Sequence, residues 1–263
     1  MNIPKVLTIA GSDSGAGAGI QADLKTYAAL GVYGTSAITA ITAQNTLGVQ
    51  HIHILSKKVV KQQIDAVMND IKPTVWKTGM LGNIKIVSLV ANLAQKYTIR
   101  QLIVDPVMLA KNGNRLLAKN ALDVFIKKLI SKSFVITPNC NEAEALTKVK
   151  IKTLNNVKKA AVIIKNMGPC YVVIKGGHLS NNTYALDLLY DGKDFVEFKT
   201  RRIKTKNLHG TGCTFASAIA AELAKGNDIK TAVKNAKAYI TKAIYASVDF
   251  TIGNGLGPLN HLV

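Results

Sequence analysis

The sequence has few of the features that mark secreted, membrane or metal-binding proteins. Its 263 residues include only three cysteines, Cys140, Cys170 and Cys213, at spacings that fit neither a disulfide framework nor a zinc site. No stretch approaches the roughly 18 uninterrupted apolar residues of a membrane span. The start, MNIPKVLTIAGSD, lacks the apolar run and cleavage site of a signal peptide. We therefore expect a soluble, cytoplasmic protein with reduced thiols and no membrane partner, in which Cys140 and Cys170 are packing residues.

Acidic residues are scarce relative to basic ones, 15 against 34, which gives a formal net charge of +19. A clustered basic face would bind nucleic acid. The lysines of IKKLISK, NVKKA and KTAVKNAKAY are instead spaced along predicted helices, and aromatic residues that could interleave a basic patch make up only 6% of the chain. We interpret these lysines as solvated helix faces and expect no nucleic-acid partner, with steering of anionic substrates as the functional alternative.

The chain also lacks linkers, internal repeats and low-complexity tracts, which predicts a single domain over residues 1–263. Short β-rich runs such as VLTIAG, TSAITAI and TVWKTG alternate with segments of helical period such as GIQADLKTYAAL and VVKQQIDAVMND. Such alternation predicts a three-layer α/β/α fold, a mostly parallel central sheet with helices on both faces. Near the end of this pattern, YALDLLY and FVEFKT flank the turn DGKD and predict a small β-hairpin.

Polar or glycine-rich segments follow six of the predicted strands: AGSDSGAGAG, AQNT, KTGM, VDPVM, ITPNCNEAE and KGGH. These residue types also favour turns for purely structural reasons. In open α/β sheets, however, ligands bind beyond the carboxyl ends of the strands. Six such segments at one edge therefore predict a functional site there.

The first glycine segment, GSDSGAGAGIQADLKT, fits no nucleotide-binding template. No Lys-Ser or Lys-Thr pair completes a Walker A loop, and Gly15, Gly17 and Gly19 alternate in a way that the dinucleotide fingerprint does not. A nicotinamide-dependent oxidoreductase is therefore disfavoured. Asp23 falls in the first turns of the following helix, where the dipole favours its charge. Alternatively, its carboxylate faces the pocket and accepts hydrogen bonds from an amino group or a protonated ring nitrogen.

The second glycine segment runs directly into an alanine-rich helix, as His209-Gly210-Thr211-Gly212-Cys213. Backbone N–H groups at a helix start lack partners within the helix and point one way. Glycines let an anion approach them, so the segment predicts an anion hole suited to a transferring phosphoryl group. A tight contact between helix and sheet would also explain the glycines. Cys213 fits either a small packing residue or a thiol whose thiolate form the helix terminus favours.

The segments GSDSGAGAGIQADLKT, AITAQNT, KTGMLG, VDPVM, ITPNCNEAE, IKGGH and NLHGTGCT, in this order and spacing, resemble the hydroxymethylpyrimidine/phosphomethylpyrimidine kinases of thiamine biosynthesis. The resemblance runs from about residue 5 to the final GNGLGPLNH. It implies a ribokinase-like fold and a commonly dimeric enzyme. The implied activity is ATP-dependent phosphorylation of 4-amino-5-hydroxymethyl-2-methylpyrimidine, a small-molecule substrate, and then of its monophosphate.

The same resemblance implies roles for individual residues. Those expected to contact the aminopyrimidine are Gln44, Asp23, Met80, Val107 and Gly11. Those expected to form the catalytic anion hole are Gly210, Thr211, Gly212 and Cys213. Those expected to bind the nucleotide are Asn139, Lys175 and Asp105, with Glu142 and Asp105 expected to manage magnesium. The side chain of Gln44 supplies a donor and an acceptor, which matches an amino group beside a ring nitrogen.

Two alternatives stay open within the resemblance. Pyridoxal and pyridoxine kinases share the GTGC loop, and the segment AQNT with Gln44 favours the pyrimidine over pyridoxal. Cys213 stands where related sugar kinases carry an aspartate base. A thiol near its usual pKa of about 8.5 is a weak base at neutral pH unless the helix terminus lowers that pKa.

Overall fold

One sheet of nine strands organises the described part of the chain, residues 3–108, 121–177 and 183–263 of a computed structural model. The strands are β1 (Lys5–Asp13), β2 (Tyr33–Asn45), β3 (Gly48–Ile54), β4 (Val75–Thr78), β5 (Gln101–Val104), β6 (Val135–Ile136), β7 (Tyr171–Lys175), β8 (Tyr184–Tyr190) and β9 (Phe195–Arg201). Their order across the sheet is β3-β2-β1-β4-β5-β6-β7-β8-β9. In this order across the sheet, the neighbours from β2 through β1, β4, β5 and β6 to β7 are all parallel. The outer strands β3, β8 and β9 pair antiparallel. The predicted mostly parallel sheet and the β8–β9 hairpin are confirmed.

Helices cover both faces of this sheet. They are α1 (Gly19–Ala29), α2 (Lys57–Asp70), α3 (Ile84–Lys96), α4 (Leu122–Val124), α5 (Cys140–Thr147), α6 (Leu154–Lys165), α7 (Thr211–Ala224) and α8 (Ile229–Tyr245). After α4 the chain continues through a π-helical turn, Phe125–Leu129, and a 3-10 turn, Ile130–Lys132. Side chains of α2, α3, α5 and α6 form one apolar core, and those of α1, α7 and α8 form a second. The predicted three-layer arrangement is therefore confirmed.

The alternation of side chains along β1 explains how one strand serves both cores. Leu7 and Ile9 pack in the first core, whereas Val6 packs in the second. Successive side chains of a strand point to opposite faces of a sheet. Because both faces are covered by helices, the strand sequence is almost continuously apolar rather than alternating.

The region around β2 and β3 differs from the sequence prediction. TSAITAI predicts a strand that ends before AQNT, but β2 continues to Asn45 and turns back into β3. Gln44 thus lies on a strand, opposite Val49 and next to a bulge that follows Ala43. Most of β3 is exposed, and the alternation in its sequence is confined to the short stretch HIHI, which is too brief to predict a strand firmly.

Two further predictions are corrected by the structure. The thiol-bearing Cys170 is exposed and is not a packing residue, whereas Cys140 is buried as predicted. Helix α7 begins at Thr211, earlier than the TFASAIAAELAKG segment suggests, so Cys213 lies in its first turn.

The lysine-rich helices mostly match their interpretation as solvated faces. Lys230 and Lys234 on α8 are exposed. Lys237 is instead buried, and its ammonium group lies 2.7 Å from the carboxylate of Asp187 on β8. Among the described residues, the helices are too short or too polar to cross a membrane.

Candidate active site

The predicted site residues converge on the edge where the parallel strands end. Asp105 directly follows β5, and Asn139 follows β6. Lys175 ends β7, and the first turn of α7 carries Cys213. Parallel strands end at the same edge of a sheet, so topology alone brings together residues far apart in the sequence.

The start of α7 has the geometry of an anion-binding site. Gly210 precedes the helix with a φ of 81°, and no side chain of the described residues caps the first turn. The N–H groups of that turn lack helical acceptors and carry the positive end of the helix dipole. A Cβ on Gly212 would lie 3.2 Å from the Lys175 ammonium nitrogen and 4.0 Å from a carboxylate oxygen of Asp105. Backbone donors and a cation therefore meet at one place.

Lys175 is held beside that turn by an ion pair. Its ammonium lies 2.8 Å from Asp105, which also accepts a hydrogen bond of 3.2 Å from the Thr137 hydroxyl. Burial lowers the pKa of Lys175. The nearby carboxylates of Asp105 and Glu142 raise that pKa by more than burial lowers it, so the net shift is upward. The lysine is therefore charged at neutral pH, as a phosphate ligand requires.

Asn139 and Glu142 have a structural task besides any contact with a nucleotide. They form a capping box at the start of α5: the Asn139 side chain accepts from the Glu142 N–H at 2.9 Å, and Glu142 accepts from the Asn139 N–H at 2.8 Å. Burial raises the pKa of Glu142 to about 7, against the opposing effect of Lys175.

The donor set fits magnesium only in part. The described residues contain no group of three or more His, Cys, Asp or Glu side chains that could hold a metal ion. Magnesium in nucleotide sites usually takes one or two carboxylates, with phosphates and water completing its shell. Asp105 and Glu142, which both face Lys175, fit an ion that arrives with the nucleotide.

The position of Asp23 contradicts the prediction that its carboxylate reads the ring. Asp23 is fully buried, and Lys77 lies 2.8 and 2.9 Å from its two oxygens. The hydroxyls of Thr8 and Ser217 donate to the same carboxylate at 2.6 and 2.7 Å. The charge is neutralised and its lone pairs are occupied inside the protein, so Asp23 ties α1, α7 and the sheet together.

The Cys213 thiol is also less reactive than its helix position suggests. Burial raises its pKa to about 11, with Lys77 acting in the opposite direction and Asp23 and Asp105 adding to the rise. The sequence allowed a thiolate stabilised by the helix terminus, but the buried surroundings outweigh that effect. The group is a neutral thiol at neutral pH.

Of the residues expected to contact the aminopyrimidine, Gly11 and Met80 lie side by side in the structure. A Cβ on Gly11 would lie 3.3 Å from the Met80 sulfur, so glycine there leaves room for the methionine. The Met80 carbonyl accepts a hydrogen bond of 2.6 Å from the buried Thr39. Val107 and Gln44 are half-buried, and Val107 is anchored by its N–H to the Asp105 carbonyl at 2.8 Å.

Sequence reasoning missed a network built on Asp13 and His209. The Asp13 carboxylate accepts from the N–H groups of Gly15, Gly17 and Ala18 at 2.8, 3.2 and 2.8 Å, and its Oδ2 lies 2.9 Å from His209 Nε2. Burial opposes ionisation of Asp13, but the His209 contact and these amides outweigh it and lower the pKa.

Gly17 of the first segment is explained by this network. A Cβ on Gly17 would lie 2.3 Å from the His209 imidazole, and a Cβ on Gly210 would lie 1.8 Å from the Gly17 carbonyl oxygen. The two glycine segments therefore pack against each other. The sequence signal that could have indicated this network is an aspartate, Asp13, that ends a strand directly before alternating glycines. The last residue of the KGGH segment, His178, lies outside the described residues.

Comparisons with known proteins identify related families. The family model described as phosphomethylpyrimidine kinase matches residues 13–260. The chain is 48% identical to the hydroxymethylpyrimidine/phosphomethylpyrimidine kinase of Bacillus subtilis, over 99% of this chain and 96% of that protein. It is 47% identical to the thiamine biosynthetic bifunctional enzyme of Arabidopsis thaliana over 98% of this chain, and it spans 50% of that longer protein.

Solved structures share the fold across almost the whole chain. The phosphomethylpyrimidine kinase of Clostridium difficile has a TM-score of 0.82 at 45% identity, covering 92% of this chain and 100% of that one. The pyridoxal kinase of Bacillus subtilis, solved as an ADP complex, has a TM-score of 0.91 at 36% identity, covering 99% and 98%. Backbone similarity alone therefore does not separate the two activities.

Proposed function

Because the chain belongs to the phosphomethylpyrimidine kinase family, we propose that it phosphorylates 4-amino-5-hydroxymethyl-2-methylpyrimidine with ATP and then phosphorylates the monophosphate to the diphosphate. The full-length identity to the Bacillus subtilis kinase carries this proposal. The site supports it, because an uncapped helix terminus and a charged lysine lie at the same sheet edge as a half-buried glutamine.

The phosphate side of the proposed reaction lies at the first turn of α7. The N–H groups of Gly210, Gly212 and Cys213 would stabilise the oxygens of the transferring phosphoryl group, and Lys175 would add a positive charge beside them. The Thr211 N–H donates to the Leu208 carbonyl at 3.3 Å and supports the turn. Phosphoryl transfer requires mainly positioning and charge stabilisation. A neutral Cys213 thiol at this turn is suited to hydrogen bonding with the acceptor oxygen rather than to removing its proton beforehand.

The acceptor side lies around Gln44. Its amide offers both a donor and an acceptor, which matches the amino group and adjacent ring nitrogen of the pyrimidine. Met80, Val107 and Gly11 provide apolar surface and space for the ring. In the second phosphorylation, the phosphate of the monophosphate would take the place of the alcohol at the α7 turn.

The nucleotide side is assigned to Asp105, Asn139, Glu142 and Lys175. Magnesium bound with ATP neutralises part of the phosphate charge. Asp105 and Glu142 are the carboxylates in reach of Lys175, so they are the side chains that would hold it. The capping box keeps Glu142 and Asn139 fixed at the start of α5 before any ligand binds.

Pyridoxal is the second candidate acceptor, because a pyridoxal kinase shares the fold at a TM-score of 0.91. The higher identity to pyrimidine kinases, 48% against 36%, favours the aminopyrimidine.

We further propose a cytoplasmic homodimer. Exposed apolar side chains on β2 and β3 and the turn between them support it: Ile41 is 50% exposed, Leu47 67% and Ile54 37%. Exposed apolar side chains beside the edge strand β3 are suited to contact with a second copy of the chain.

An ATP-consumption assay with three acceptors tests the proposed activity. The purified chain is given the aminopyrimidine alcohol, its monophosphate, or pyridoxal at matched concentrations. We expect turnover of the first two and at least about tenfold lower kcat/KM for pyridoxal, which corresponds to about 1.4 kcal/mol of discrimination. A preference for pyridoxal would overturn the choice of substrate.

A further inference from the structure

The nitrogen Nε2 of His209 contacts two groups at once. It lies 2.9 Å from Asp13 Oδ2 and 3.0 Å from the amide nitrogen of Gln44. The amide oxygen of Gln44 lies 3.2 Å from the Thr42 hydroxyl. The orientation of this amide decides which polar group of a ring it can bind, because its oxygen only accepts and its nitrogen only donates.

The contact with Asp13 determines the state of His209 Nε2. Asp13 accepts three backbone N–H bonds, and its pKa is lowered, so it is an ionised carboxylate that can only accept. A contact of 2.9 Å with such a carboxylate requires a hydrogen on Nε2. Nε2 is therefore a donor, and an amide nitrogen 3.0 Å away would place two donors face to face.

The other end of the amide leads to the same conclusion. The Thr42 hydroxyl lies 3.0 Å from the Ser12 carbonyl, which can only accept, so its single hydrogen is directed there. Towards Gln44 the hydroxyl then presents a lone pair. A half-turn of the Gln44 amide exchanges its oxygen and nitrogen. The oxygen then accepts from the Nε2–H that His209 shares with Asp13, and the NH₂ group donates to the Thr42 hydroxyl. Such assignments are made from the partners.

We propose that Asp13, through His209, and Thr42 hold the Gln44 amide in this one orientation, with its oxygen towards His209 and its NH₂ towards Thr42, and so determine which rings the kinase accepts. One lone pair and one hydrogen of the amide remain for the substrate. The ring must then present a donor on the His209 side and an acceptor on the Thr42 side. His209 and Asp13 are positioning residues that act through Gln44.

The orientation of the amide predicts the class of ring, and this part of the inference rests on the proposed function. A 4-aminopyrimidine, with an amino group beside an unprotonated ring nitrogen, presents donor and acceptor in the required order. The corresponding 4-oxo ring presents them reversed, as a carbonyl beside a ring N–H. The two rings are close in size and shape, so packing against Met80 and Val107 separates them little.

The test compares kcat/KM for the 4-amino alcohol and its 4-oxo analogue in the full-length chain. The wild type is expected to prefer the amino ring by about 100-fold, because two mismatched hydrogen bonds each cost about tenfold. His209→Leu frees the amide to turn, so this ratio should fall at least about tenfold. His209→Gln restores a donor near the Nε2 position and should keep the ratio within about threefold of the wild type.

Two further variants keep the result decisive. Thr42→Val preserves shape but removes the acceptor for the NH₂ group, so the ratio should fall even if His209→Leu does not fold. His53→Leu is the matched control, because His53 pairs with Ile41 and so lies on the face of the β2–β3 ribbon opposite Gln44. Its ratio should be unchanged.

The outcomes separate this inference from the proposed function. A wild type that phosphorylates neither ring overturns the proposed function itself. A wild type that accepts both rings equally overturns only the fixed orientation. The same holds if the His209→Leu and Thr42→Val variants fold but lose activity towards both rings in parallel, which would assign the network a structural role alone.

Discussion

At the scale of single residues, the Asp23 carboxylate contacts buried groups only: the Lys77 ammonium and the hydroxyls of Thr8 and Ser217. The Lys77 ammonium that it neutralises is fully buried. Burial lowers the pKa of that lysine, but Asp23, together with the more weakly acting Cys213, Asp105 and Tyr27, raises it by more, so the net shift is upward. Removing one member of such a pair leaves an uncompensated charge in the core. The residue is therefore expected to affect stability first and substrate binding only through the folded state.

Replacing Asp23 with asparagine should lower the free energy of unfolding by about 3–5 kcal/mol, measured by chemical denaturation. Asp65→Asn is the matched control, because Asp65 pairs with the exposed Lys61, and it should cost about 1 kcal/mol or less. Equal costs for the two variants would contradict the structural role of the buried pair.

Because the Cys213 thiol is neutral, we expect kcat to depend little on pH. With a pKa near 11 the thiol stays protonated below pH 9.5, so the wild-type kcat should change less than about twofold between pH 8 and pH 9.5. Cys213→Ala should lower kcat about tenfold while the KM for ATP stays within about twofold. A wild-type rate that rises about tenfold per pH unit, and a flat profile in the variant, would instead identify the thiolate as the base.

The raised pKa of Glu142 is expected to make the free energy of unfolding depend on pH. Its pKa is raised from 4.5 to about 7 in the folded state, so between these values the folded protein binds more protons than the unfolded chain and stability falls as pH rises. From pH 5.5 to pH 8 this group should remove about 2 kcal/mol. Glu142→Gln, which keeps the capping box, should abolish that loss.

Glu144→Gln on the same helix is the control for this experiment. The pKa of Glu144 is lowered by the Ile151 N–H, so it is ionised in both the folded and unfolded states above pH 5.5. Its removal should leave the pH dependence of unfolding unchanged. An identical pH dependence in wild type and Glu142→Gln would show that Glu142 does not titrate in this range.

Most candidate residues could be predicted from the sequence because they follow strands, and strand ends share an edge. The contact between Asp13 and His209 could not be predicted, since these residues are 196 positions apart and neither belongs to a spaced motif with the other. The burial of Asp23 was missed for a related reason: its partner Lys77 lies within β4, where a sequence gives no sign of a charged core.

At the scale of elements, the two glycine segments form one unit. Gly210 has a φ of 81°, and a side chain there would enter the Gly17 carbonyl. The sequence separates these segments into an acceptor loop and a phosphate loop. The structure makes the first a support for the second, because Asp13 orders the turn on which His209 and Gly210 rest.

Gly210→Ala should therefore cost at least about 2 kcal/mol more than Gly226→Ala. Gly226 has a similar φ of 90°, but a Cβ there meets nothing within 4 Å, so its variant reports the backbone cost alone, about 1 kcal/mol. Urea unfolding of both variants gives the comparison. Equal losses would mean that the contact with Gly17 is easily relieved.

The element that was missed, β3, shows where pattern reasoning ends. This edge strand is mostly exposed, so the alternation in its sequence is limited to the four residues HIHI. Its pairing nevertheless decides the site, because it draws Gln44 into β2 beside Thr42.

At the scale of the whole molecule, alternating strands and helices were enough to predict the three layers and the site edge. The order of strands was not predictable from periodicity, since six parallel strands can be arranged in several ways. What the fold adds is the division of the site: phosphate groups at the start of α7, and the acceptor ring at the end of β2.

The most direct test measures both Michaelis constants in Gln44→Leu. We predict that the KM for the aminopyrimidine alcohol rises at least about tenfold, the equivalent of about 1.4 kcal/mol of binding, while the KM for ATP stays within about twofold of the wild type. An unchanged KM for the pyrimidine, or an equal rise in both constants, would contradict the assignment of Gln44 to the acceptor side.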